Sequence, residues 1–99
     1  MTEFLDEMLR ASGSLRFEEV ALPESPEFVG RTLRDLPIRN RTNLLVVALH
    51  EPEGAGWIYN PPPDHRMRSG THLVVMGESA SVIKLRDLFA EMTGRPSIM

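Results

Sequence analysis

Apolar residues along this chain come in short runs, and their spacing changes from run to run. Between Thr2 and Arg10, Phe4, Leu5, Met8 and Leu9 recur at helical spacing, which predicts a short amphipathic helix. Thr2 can cap its start and Gly13 can end it. Leu15 to Leu22 reads as a strand. Leu15 and Phe17 share one phase and Val20 and Leu22 the other, so a bulge is expected at Glu18-Glu19. Thr32-Leu33-Arg34-Asp35 has the pattern of a helix N-terminus, and Pro37 limits that helix to about one turn. Leu44 to Leu49 is continuously apolar and valine-bearing, as in a strand buried on both faces. The acidic turn HEPEGAG separates it from Trp57-Ile58-Tyr59, and the pair is expected to form a hairpin. Thr71 to Met76 reads as another buried strand. Glu78 to Met92 is the clearest helix, with Val82, Leu85, Phe89 and Met92 in one stripe widened by Leu88, and Gly94 and Pro96 beyond its end. Ser79 and Ser81 are candidates for its N-cap.

The last strands are joined by turns rather than full-length helices. That order predicts an α+β fold: a small mixed or antiparallel sheet of about four strands, open or curled into a pseudo-barrel. A C-terminal helix would pack on it, with a short helix at the N-terminus. No strand–helix–strand unit carries G-x-G-x-x-G, which argues against a dinucleotide-binding fold.

Composition narrows the function more than the fold. The chain has 99 residues, 25% of them charged, and a net charge of −3, so it has no strong pull on nucleic acid. It has no cysteine, which removes disulfides and thiolate chemistry. No apolar run approaches the ~20 residues of a membrane helix, and MTEFLDEML lacks the basic start of a signal peptide. His50, His65 and His72 have no metal-ligand spacing, and G-x-S-x-G is missing, so an enzyme is not expected. Glu18, Glu19, Glu24, Glu27, Glu51 and Glu53 would serve calcium only if loops converge, since no spaced calcium loop is present. Asp64-His65 reads as polar surface.

The chemistry worth following lies before the apolar run. Arg31, Arg34, Arg39 and Arg41 precede it, joined by the amides Asn40, Asn43 and Asn60 and the rigid wall Pro61 to Pro63. Arginines suit bidentate phosphate contacts, and such a mixture suits a nucleotide pocket.

These segments, in order, resemble the C-terminal lobe of the RCK (regulator of potassium conductance) module, the TrkA-C domain. The residues that carry the resemblance run from Leu15 to Phe89. They include Val29-Gly30-Arg31-Thr32-Leu33 after the first strand, Asn60-Pro61 after the third, and Gly70 and Gly77 around the fourth. The resemblance implies residues 1–13 as the tail of a connecting helix, 14–94 as the lobe and 95–99 as a tail. It implies a homodimer in the cytoplasm, at the inner face of the membrane, attached to a pore and a Rossmann-type lobe of a potassium channel or transporter. No resident cofactor is implied; a small effector, cyclic di-AMP or a divalent cation, would gate transport. A purely structural dimerisation module is the alternative. For the ligand site, the resemblance points to Arg39, Val46 and Pro61; Arg41, Asn43, Leu45 and Asn60 complete the candidate site. It departs from the family pattern at Leu45, where an Asn is common, at Asn43, where a Gly is common, and at Thr71, where an acidic residue is common.

Overall fold

A computed structural model describes residues 15–94. The expected N-terminal helix lies outside the described residues. Four strands make one open antiparallel sheet: β1 (Leu15–Ala21), β2 (Leu45–Glu51), β3 (Gly56–Tyr59) and β4 (His72–Glu78). Their spatial order is β1-β4-β2-β3. Two helices accompany them, α1 (Ile38–Thr42) and α2 (Ser79–Thr93). The α+β reading holds, and the sheet does not close into a barrel.

One face of the sheet carries the core. Leu73 and Val75 of β4 are fully buried, flanked by Val20 from β1 and Leu49 from β2. Val82, Leu85, Leu88 and Phe89 of α2 pack onto them, as the helical stripe predicts, and Met92 packs at the margin. Phe28, from the loop after β1, meets Phe89 edge-on at 4.9 Å, a geometry worth ~1 kcal/mol beyond burial. Gly94 ends α2 in the left-handed region, with its N–H on the Ala90 and Glu91 carbonyls. Neither serine caps the start: Glu78 holds the N-cap position without a side-chain bond, and the Ser79 hydroxyl instead accepts from Arg16 at 3.0 Å.

The bulge is real but sits elsewhere. β1 pairs with β4 in unbroken register from Leu15↔Glu78 to Ala21↔His72. The phase slip in its sequence arises because both faces carry apolar groups: Phe17 on the open face, Val20 on the core face. The register shift falls instead in β2, between Val46↔Val75 and Ala48↔Val74. Val47 is the extra residue, which keeps Leu44 and Leu49 both on the core side despite their odd spacing. β2 is therefore not buried on both faces along its length; Leu45 is exposed.

The short helix is also displaced. Thr32 to Asp35 forms a turn in which the Asp35 N–H bonds the Thr32 hydroxyl and carbonyl. The helix follows Pro37, which holds its N-cap position, rather than ending there. The segment Gly30–Arg34 then runs beside Pro63–Met67, tied by Gly30 N–H to Met67 O, Met67 N–H to Arg31 O, Leu33 N–H to His65 O and Arg34 N–H to Pro63 O.

Candidate functional site

The site grows out of the way β3 ends. β3 pairs with β2 only from Glu51 to Ala48. At Asn60 the backbone takes a positive φ of 50°, and its N–H bonds the carbonyl of bulged Val47. Pro61, Pro62 and Pro63 follow and have no N–H to continue the ladder. The β2 edge at Leu45 and Val46 is thereby left without a neighbouring strand. A cavity of about 430 Å³ occupies that place. Its apolar walls are Leu33, Leu36, Ile38, Leu44, Leu45, Val46, Pro61 and Pro63, and its polar groups are Arg34, Arg39 and Asn40.

Of the residues expected at the site, Arg39, Leu45, Val46 and Pro61 line this cavity. Arg41 does not. Two residues along a helix are rotated by roughly 200°, so Arg39 and Arg41 leave α1 on opposite sides. Arg41 turns to α2 and pairs with Glu91 at 3.1 Å. Asn43 is the left-handed C-cap of α1, with φ 67° and its N–H on the Arg39 carbonyl; its part is conformational. Asn60 shapes the turn beside the cavity rather than lining it. The Thr42 hydroxyl joins α1 to β2, donating to Ile38 O at 2.6 Å and accepting from Leu44 N–H at 3.1 Å. Arg34, on the turn after Thr32, lines the cavity although sequence reasoning left it out of the site; its signal was membership of the same arginine-bearing stretch.

The electrostatics are one-sided. The Arg34 and Arg39 side chains have no hydrogen-bond or ion-pair partner among the described residues. Arg16, Arg41 and Arg86, by contrast, all reach a carboxylate. Among the described residues, no carboxylate lines the cavity. Two unpaired guanidinia beside apolar walls make a place for an anion with an apolar or planar body.

The wall opposite is anchored. His65 Nε2 lies 2.6 Å from Glu51 Oε2, and the Glu51 side chain is buried. Neither residue is the surface group expected from sequence: the pair clamps the proline-bearing loop to the end of β2. Below the cavity, Leu44 overlies Gly77 of β4. A Cβ at Gly77 would lie 2.5 Å from Leu44 Cδ2, so a larger residue there would push the buried Leu44 side chain aside. Among the described residues, no three His, Asp or Glu side chains converge as metal ligands would.

The geometry defines a small sheet-and-helix lobe with a cavity that two arginines and apolar walls line. The family model of the TrkA-C domain matches residues 17–90, and the chain belongs to that family. No curated protein matches it. Among solved structures, the GsuK RCK domain is 24% identical with a TM-score of 0.73, over 89% of this chain and 19% of that one. The RCK_C domain dimer of S. agalactiae BusR in complex with c-di-AMP is 23% identical, TM-score 0.64, over 76% of this chain and 96% of that one. The RCK C domain of the potassium transport protein KtrA, also in complex with c-di-AMP, is 18% identical, TM-score 0.63, over 86% and 95%. These likenesses carry the fold. The chain spans about a fifth of the GsuK chain it matches.

Proposed function

We propose that this chain is a cytoplasmic regulatory lobe of a potassium channel or transporter. It pairs as a homodimer and binds a small phosphate-bearing effector in the pocket beside β2, and this gates transport. The observation that carries the reading is a pair of arginines, Arg34 and Arg39, without a partner among the described residues and set over apolar walls, within a TrkA-C domain. Two similar folds, those of BusR and KtrA, are described in complex with c-di-AMP. The described lining holds no carboxylate, which favours this anion over a divalent cation, since a cation needs oxygen ligands. Gating requires that the ligand prefer one arrangement of the dimer over another.

Isothermal titration of cyclic di-AMP at cytosolic salt tests the reading. The expected result is one ligand per two chains, abolished by Arg39→Ala with the circular-dichroism spectrum unchanged. A folded dimer that gives no heat would sink the effector site and leave the structural module. Unchanged binding by Arg39→Ala would sink the assigned residue.

A further inference from the structure

Arg34 adds a second charge to a pocket that a single phosphodiester would satisfy with one. It sits on the turn between Thr32 and Asp35, while Arg39 sits on α1, and both guanidinia line the same cavity. Neither has a carboxylate or carbonyl partner among the described residues. The backbone that carries Arg34 is fixed: its N–H bonds the Pro63 carbonyl at 2.8 Å, so the turn is tied to the wall that Pro61 and Pro63 form. The arginine is therefore held at the pocket by its main chain.

A phosphodiester carries a single negative charge. Bound beside two exposed guanidinia, it would neutralise one charge and leave the second to water. A phosphate monoester carries about −1.5 to −2 at neutral pH and offers three acceptor oxygens. That charge and oxygen count match two forked donors. Recognition of a base is weakly provided for: among the described lining residues Asn40 is the one side-chain amide, and apart from the two arginines the walls are hydrocarbon. We infer that the pocket selects ligands bearing a terminal phosphate monoester or diphosphate on an apolar or planar body, over cyclic diesters, and that Arg34 sets this selectivity. The inference rests on the reading of this cavity as an effector site and assigns its ligand chemistry.

The test compares two probes on the full chain: cyclic di-AMP, and its ring-opened form, which keeps one diester and gains one terminal monoester. The ring-opened probe should bind at least tenfold more tightly. Arg34→Leu keeps hydrocarbon at the wall and, the side chain being exposed, should leave the thermal midpoint unchanged. It should weaken the ring-opened probe at least tenfold and the cyclic probe less than twofold. Equal affinities for the two probes, or an Arg34→Leu effect equal for both, would overturn the selectivity while the effector site stood. No binding of either probe to folded protein would remove the effector site and this inference with it.

Discussion

At the scale of single residues, two asparagines illustrate how an amide can be placed for its backbone. Asn43 and Asn60 both hold positive φ, 67° and 50°. Left-handed backbone costs an ordinary L-residue about 1–2 kcal/mol, and Asn and Gly bear it best. Asn43→Gly is therefore expected to retain both fold and ligand binding, whereas Asn43→Ala should lose about 1 kcal/mol of stability in urea denaturation. A loss of binding in Asn43→Gly at unchanged stability would return Asn43 to the site. Glycine and asparagine share this conformation, so the family's usual Gly and this chain's Asn satisfy one requirement. The sequence displays the amide but not φ, and so Asn43 reads as a ligand contact. Arg39 lines the cavity, and among the described residues no carboxylate pairs with it. Arg41 carried the same sequence signal, but its partner Glu91 lies fifty positions away and only folding brings them together.

At the scale of elements, helices and strands with one consistent apolar stripe were legible, α2 most clearly. The β1 and β2 phases were not, because alternation identifies a bulge only when one face is polar. Phe17 and Leu45 put hydrocarbon on the open face, and that defeats the test. Connections carry their own electrostatics. Glu24, in the turn after β1, accepts from the Ser69 hydroxyl at 2.5 Å and the Gly70 N–H at 2.8 Å, tying that turn to the entry of β4. These two bonds, Ser69 first, hold its carboxyl below its ordinary value of 4.5. A lowered folded pKa gives stability that is present above the unfolded value and is lost as pH falls through the folded one. Thermal midpoints of the parent should therefore fall between about pH 5 and about pH 3 more steeply than those of Glu24→Gln. Parallel acid limbs for the two proteins would show that the turn is held by other contacts.

At the scale of the whole molecule, helices cover one face of the sheet and, among the described residues, nothing covers the other. Three rows cross that open face in register: Phe17–Met76–Leu45, Glu19–Val74–Ala48–Tyr59 and Ala21–His72–His50–Trp57. Phe17 is 65% exposed, Tyr59 73% and Trp57 47%. Hydrocarbon displayed so openly on an ordered sheet marks an interaction surface. Sheets pack face to face at about 10 Å, so a second copy would complete a sandwich. Leu45 belongs to both this face and the cavity lining, and pairing here would set the effector pocket at the seam. Sedimentation velocity of the parent is expected to show a dimer at micromolar concentration. Phe17→Glu should shift it to monomer with its fold kept, since Phe17 contributes little to the core. A dimer that ignores Phe17→Glu would place the partner elsewhere.

The extra residue at Val47 has a consequence for how β2 is held. It divides β2 into two reading frames that meet at one peptide. Leu44, Leu45 and Val46 line the cavity, and Leu45 and Val46 also pair with Met76 and Val75 of β4. Ala48 through Glu51 answer to β3 and β4, where strand pairing governs. The fault absorbs the change of phase, so one strand carries two frames: a half that borders the cavity along one edge and pairs with β4 along the other, and a half held by strands on both edges.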